Sequence, residues 1–141
     1  MTGSAQWDFQ VAVFKLFTND GILKGLLTGG LFDGSVPQDV KAKLPYGVVG
    51  ECNEIPADRL AFVGMENYLT IHLFSEYRGQ KEVKTIASRM IALLHHKKDL
   101  ELEDWVVNHL QLESSFTQND PDEIRHLILR FVAQLQPKVT P

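Results

Sequence analysis

The sequence predicts one α+β domain over residues 1–141, in which an N-terminal helix and a central helix pack on one face of a mostly antiparallel four-stranded sheet. Apolar residues recur at helical spacing in residues 5–18 and 80–96. They alternate with polar residues in residues 68–75 and 124–136, which is the pattern of half-buried strands. Turn-forming residues separate these stretches, so the periodic segments are expected to be distinct elements.

The N-terminal helix is expected at about residues 5–18. Its predicted apolar face consists of Phe9, Ala12, Val13, Leu16 and Phe17. Asn19, Asp20 and Gly21 form a plausible stop, because glycine adopts the left-handed conformation at a helix end without steric cost. Residues 22–27 are interpreted as a further short helical piece.

The segment from residue 31 to residue 66 lacks a clear period. Gly34, Pro37 and Pro45 interrupt any helix, so residues 31–45 are interpreted as an extended arm or short edge strand followed by a loop, with the loop at 33–45. Residues 46–51 are expected to form a short strand. Residues 53–66 are interpreted as a long mobile loop.

The central strand and central helix have the clearest patterns. Leu69, Ile71 and Leu73 point to one face of the strand at 68–75, and Thr70 and His72 to the other. The helix at 80–96 has a predicted apolar face made of Val83, Ile86, Ala87, Met90 and Leu94. These two faces are expected to pack against each other.

The last part of the chain predicts an antiparallel hairpin at about residues 104–136. Its first strand is predicted to carry Val106, Leu110, Leu112 and Phe116 on one side. Its second strand is predicted to carry Leu127, Leu129, Phe131, Ala133 and Leu135 on one side. Residues 119–122, with Pro121 between two aspartates, are a strong turn signal.

Composition argues against several classes of function. The net charge is −4 and Lys and Arg are scattered, whereas proteins that bind nucleic acid tightly carry a basic patch. No apolar run reaches the roughly 20 residues of a membrane span, and no signal segment is recognised. Cys52 is the single cysteine, so no intramolecular disulfide forms. A soluble protein of a reducing cytoplasm is expected.

The residues that carry chemistry in other proteins are not grouped in this sequence. Cys52 has no histidine nearby in sequence, and a half-buried structural role is expected for it. His95 and His96 are adjacent on the predicted helix and should diverge, which is unfavourable for chelation. Glu101, Glu103 and Asp104 are interpreted as a solvated charged loop, and the aromatics Trp7, Phe9, Phe14 and Phe17 as core. No catalytic, cofactor or metal site is predicted, and the protein is not expected to be an enzyme.

An ordered set of short motifs resembles the tail completion, or tail terminator, proteins of long-tailed bacteriophages and phage-like particles. The motifs are Val36-Pro37-Gln38-Asp39, Pro45-Tyr46, Gly50-Glu51, the strand from Tyr68 to Ser75, and Asp120-Pro121-Asp122. The resemblance spans roughly residues 7–136. It implies a homo-oligomeric ring, commonly a hexamer, that caps the finished tail tube, joins it to the connector or stopper proteins of the head, and lets DNA pass as cargo. The resemblance places the protein in the virion tail, after assembly in the host cytoplasm.

Subunit or tube contacts are expected in the two irregular segments, because apolar side chains in a loop mark either a folded-back flap or a contact surface. The candidate residues are Val36, Pro37, Gln38, Asp39, Leu60, Phe62, Val63 and Met65. Two alternatives stay open from the sequence. One is a head-completion or other neck protein, and the other is a small-molecule-binding α+β domain.

Overall fold

The computed structural model describes residues 3–37, 43–58, 64–76, 80–119 and 124–138, which form three helices and five strands. The helices are α1 (Gln6–Thr18), α2 (Gly21–Leu26) and α3 (Gln80–Leu94). The strands are β1 (Leu31–Asp33), β2 (Tyr46–Pro56), β3 (Met65–Ser75), β4 (Trp105–Asn119) and β5 (Arg125–Pro137). None of the described helices is long and apolar enough to span a membrane.

The described strands form one mixed sheet in the order β1-β2-β3-β5-β4. Strands β2, β3, β5 and β4 are antiparallel to their neighbours, whereas β1 pairs with β2 in parallel. The predicted four-stranded sheet is therefore wrong by one strand. The short edge strand, one of the two interpretations of the segment that begins at residue 31, is correct for Leu31–Asp33. Three residues are too few to show alternation, so its place in the sheet follows only from the parallel pairing of Leu31 with Gly47 and of Asp33 with Val49.

Strands β2 and β3 are longer than their sequence patterns predict. The sequence pattern places residues 53–56 and 65–66 in the loop at 53–66, yet residues 53–56 of β2 pair with residues 65–68 of β3. The register shifts between Val49 and Cys52, and such a bulge disrupts the alternation by which a strand is recognised. Of the remaining loop, residues 59–63 lie outside the described residues. The loop predicted at 33–45 begins one residue later, because Asp33 ends β1, and its residues 38–42 also lie outside them.

The predicted face of β4 is also partly wrong. Val106 and Phe116 are exposed by 39% and 51%, whereas Trp105, Val107 and Leu110 are buried. Register shifts between Val107 and His109 and between Leu112 and Ser114 each insert an extra residue. Each extra residue moves the following side chains to the opposite face, so a single even-numbered stripe does not exist along this strand.

The core lies between the helices and one face of the sheet, as predicted. All of the side chains predicted to be apolar contacts on β3, α3 and β5 are buried. On α1, Phe9, Ala12, Val13 and Phe17 are buried and Leu16 is half-buried. Trp7 departs from the prediction, because it is 68% exposed. It lies two residues before Phe9, a rotation of roughly 200° around the helix, and so faces away from the sheet.

Asp20 fixes the junction of the three helices. Its carboxylate accepts a hydrogen bond from the backbone N–H of Leu23 at 2.9 Å and so caps the N-terminus of α2. The same carboxylate accepts hydrogen bonds from Nε and Nη2 of Arg89 in α3, at 2.9 and 2.6 Å. This two-pronged ion pair joins α2 to α3.

The Asp20–Arg89 pair predicts a component of acid sensitivity. The hydrogen bond from Arg89 holds the pKa of Asp20 below its ordinary value of 3.8. A carboxyl group with a depressed native pKa stabilises the fold at higher pH, and this contribution is lost as the pH falls through the native pKa. We expect the urea midpoint of the wild type to fall more steeply below about pH 4 than that of Asp20→Asn, which retains a capping oxygen. Parallel curves would show that the pair does not form in solution.

Candidate assembly surfaces

The structure describes three of the eight predicted contact residues. Val36 is half-buried and Pro37 is exposed, both shortly after β1. Met65 is the first residue of β3, where it pairs with Pro56 and Leu135 and packs against the core. The other five, Gln38, Asp39, Leu60, Phe62 and Val63, lie outside the described residues.

The sheet face opposite the helices carries a chain of side-chain hydrogen bonds across four strands. Gln118 Nε2 lies 3.1 Å from Nδ1 of His126, whose Nε2 lies 2.9 Å from Nδ1 of His72. Nε2 of His72 in turn lies 3.2 Å from both carboxylate oxygens of Glu51. Because the carboxylate only accepts, Nε2 of a neutral His72 donates to it, and each preceding nitrogen then donates in the same direction. With both imidazoles neutral, each ring nitrogen in this series of hydrogen bonds has a partner.

An aromatic stack extends this surface toward one end of the sheet. The ring of Phe74 stacks on Tyr46 at 4.9 Å between centroids and on His126 at 4.3 Å. Phe32 meets Tyr46 edge-on at 6.1 Å. This end of the open face is therefore covered by rings and imidazoles. The sequence did not reveal this, because His72 and His126 are 54 positions apart and meet only through the pairing of β3 with β5.

Cys52 has the environment of a structural thiol. Its Sγ donates to Oδ1 of the fully buried Asn67 at 3.3 Å. Burial, aided by the nearby Glu54 carboxylate, raises the pKa of Cys52 to about 11. A thiol with that pKa is protonated at neutral pH and is a poor nucleophile. Glu54 itself binds the backbone N–H of Ala5 at 2.8 Å and so anchors the start of α1 on β2.

His95 and His96 do not lie on a helix, in contrast to the prediction, because α3 ends at Leu94. His96 has a φ of 63°, and this turn brings the two rings to 3.9 Å between centroids instead of letting them diverge. The neighbouring His95, then burial, His109 and Lys98, lower the pKa of His96. His95 Nδ1 accepts from the N–H of Leu112, and the N–H of His96 donates to the carbonyl of Leu110. The pair thus covers the middle of the outer edge of β4.

Within the part of the chain that the structure describes, no three His, Cys, Asp or Glu side chains are grouped to hold a metal ion. The described surfaces instead offer rings, edges and exposed apolar side chains. Such features are typical of protein contacts.

A comparison with protein families identifies the class of protein that carries these surfaces. The family model for tail completion protein gp17 matches residues 11–136, from the middle of α1 to the penultimate residue of β5. The chain belongs to this family. The tail completion resemblance of the sequence is therefore confirmed, and the protein is a structural component of the tail of a bacteriophage or phage-like particle.

Solved structures of other proteins share the fold of this tail completion family member. A chain from the virion of a native gene transfer agent (GTA) particle superposes with a TM-score of 0.82 at 18% sequence identity. The match covers 96% of this chain and 99% of that chain. No curated protein is significantly similar in sequence.

Proposed function

We propose that this tail completion family member caps the assembled tail tube as a ring of identical subunits, six in the complete ring, and joins the tube to the connector or stopper protein of the head. The family match over residues 11–136 carries this proposal. The fold shared with a chain of a phage-like particle supports it.

The chemistry of the chain favours a purely structural role in that ring. The Cys52 thiol is protonated at neutral pH, and the His72–His126 pair is directed at protein partners in the same sheet. The net charge of −4 suits a ring through which DNA passes as cargo, because a strongly basic lumen would hold the phosphates. The protein therefore acts without a cofactor and is not an enzyme.

The two segments at 33–45 and 53–66 are the proposed contacts with the tail tube. Val36 and Pro37 lie beside β1 at one edge of the sheet. The apolar residues Leu60, Phe62, Val63 and Met65, with Gln38 and Asp39, complete the proposed contact set. Val36→Asp is expected to weaken binding to tail tubes, because it introduces a charge into an apolar contact.

The test is removal of the gene from the phage or phage-like element that encodes it. We expect electron micrographs to show separate heads and tails, with tails of irregular length, and we expect added purified protein to restore joined particles. Heads that leak DNA beside normal, capped tails would instead indicate a head-completion protein. Native mass spectrometry of the rescued tail ends should give six copies per tail.

A further inference from the structure

A shallow groove of about 590 Å³ runs between α2 and α3 on the outside of the helical layer. Ile22 and Leu26 of α2 and Ala92 of α3 form its apolar part. Ile22 is 59% exposed, which is unusual for an isoleucine next to a core. An exposed apolar groove of this kind is suited to a side chain from another molecule.

The rim of the groove is basic. Lys81, Lys84 and Arg89 contribute to the lining, and none of the lining residues is acidic. The charge of Arg89 is balanced by Asp20, whereas the described residues provide no ion pair for Lys81 or Lys84. In a chain of net charge −4, this basic rim implies that negative charge is concentrated elsewhere.

The complementary surface is the loop of residues 99–104 between α3 and β4, here called the acidic loop. Leu100 and Leu102 are buried, so the loop is fixed to the core with Glu101, Glu103 and Asp104 exposed. The carboxylate of Asp8 accepts hydrogen bonds from the backbone N–H groups of Glu103 and Asp104, at 2.8 and 2.9 Å. The loop is therefore held rigidly against the first turn of α1.

Trp7 adds an exposed apolar side chain to the same turn of α1 that holds the acidic loop. It precedes Asp8, the residue that holds the loop, and 68% of its surface is exposed. An exposed tryptophan on the turn that holds an acidic loop matches a groove with an apolar floor and lysines on its rim. Tryptophan is also among the residues that most often dominate the energy of a protein interface.

The acidic loop and the α2 side of the groove lie at opposite ends of α1. The acidic loop contacts the first turn of α1, whereas α2 and the groove follow the last turn of α1. The 13 residues of α1 give this helix a length of roughly 20 Å. Two different, complementary patches on one chain are what a head-to-tail interface requires, and repetition of such an interface closes a ring when the rotation fits.

We propose that Trp7 and the acidic loop of one subunit bind in the α2–α3 groove of the next subunit in the ring. Trp7 contacts Ile22 and Leu26, and Glu101 and Glu103 pair with Lys81 and Lys84. This assignment rests on the proposed ring and specifies its subunit interface. The segments at 33–45 and 53–66 are then left for the tail tube.

The first test is Trp7→Ala, because an exposed side chain can be removed without opening the core. We expect the melting temperature of the monomer to stay unchanged and the dissociation constant between subunits to rise about thirty-fold, as for a central interface tryptophan. Trp7→Phe, which keeps an aromatic ring, should retain most of the association. In the wild type, assembly should shift the fluorescence of Trp7 to the blue, whereas the other tryptophan, Trp105, is already buried.

The second test exchanges the charges. Lys81→Glu with Lys84→Glu should abolish rings, and so should Glu101→Lys with Glu103→Lys, because each places like charges opposite one another. The chain that carries all four substitutions should form rings again. Lys15→Glu with Lys24→Glu makes the same charge change at exposed lysines outside the groove lining and should leave rings intact.

Ring formation is followed by sedimentation velocity over a range of concentrations and by the number of copies bound to tails that lack the protein. Normal rings from both charge-reversed pairs and from Trp7→Ala would overturn the interface, provided that the wild type completes tails. Normal rings that no longer bind the tube after Lys81→Glu with Lys84→Glu would also overturn it, because the tube protein would then occupy the groove. If the wild type itself neither forms rings nor completes tails, the proposed function fails instead.

Discussion

Ile71→Ala is expected to lower the free energy of unfolding by about 2–5 kcal/mol. Ile71 is fully buried in the middle of β3, where it pairs with Val49 of β2 and Leu129 of β5. Removing most of its side chain loses apolar burial and leaves a cavity between the sheet and the helices, which the closely packed neighbours cannot fill. Urea unfolding followed by circular dichroism measures the change.

Thr70→Ala is the matched control for this prediction. Thr70 is the preceding residue of the same strand, half-buried on the opposite face of the sheet. We expect its truncation to cost well below 1 kcal/mol, within the usual range for surface positions. Equal costs for both substitutions would mean that the helices do not pack on the Ile71 face.

Gly29→Ala is expected to destabilise the protein by at least about 3 kcal/mol or to prevent folding. A Cβ atom at this position would lie 1.5 Å from the backbone oxygen of Lys43 and 2.8 Å from that of Pro45. The N–H of Gly29 also donates to the Pro45 carbonyl at 2.8 Å, so the two backbone segments are in direct contact. Since the clashing atoms are backbone, they cannot move aside as a flexible side chain would.

Gly25→Ala is the matched control and is expected to stabilise the protein. Gly25 lies in α2, and a Cβ there meets nothing within 4 Å. Alanine restricts the unfolded chain and favours the helix, so this substitution should raise stability by about 0.5–1 kcal/mol. Thermal unfolding of the two variants in parallel measures both effects. A Gly29→Ala variant as stable as the wild type would show that the approach of residues 43–45 is not kept in solution.

The part of the fold that the sequence predicted correctly is the part with unbroken periods. The helix α3 and the strands β3 and β5 keep one period from end to end, and their predicted apolar faces are the buried faces. In these elements the position of a residue in the sequence determines whether its side chain faces the core or the solvent. Local pattern and tertiary packing therefore agree.

The sequence-based prediction is wrong where an extra residue changes the buried face of a strand, or where a strand forms only through long-range pairing. The bulges in β2 and β4 change which side chains face the core, and the sequence offers no local mark for them. Strand β1 exists only because it pairs with β2. The hydrophobicity of Trp7 predicts a core position, whereas its position on α1 turns it outward.

The candidate surfaces are harder to predict from the sequence than the fold. Glu101, Glu103 and Asp104 were recognised as an exposed charged loop, yet its fixed position depends on Asp8, which lies 95 residues from Glu103. The groove likewise combines side chains from α2 and α3, more than 50 positions apart. A surface assembled from distant segments leaves no contiguous motif.

His95 and His96 occupy hydrogen-bonding groups on the outer edge of β4 and so limit the pairing of that edge with strands of other molecules. A bare edge strand of 15 residues invites strands of other molecules to add along it, which leads to open-ended growth. With the Leu110 carbonyl and the Leu112 N–H already bonded, that edge is interrupted near its centre. A strand of another molecule therefore cannot pair along the whole of β4, and this edge resists the open-ended strand addition by which fibres grow.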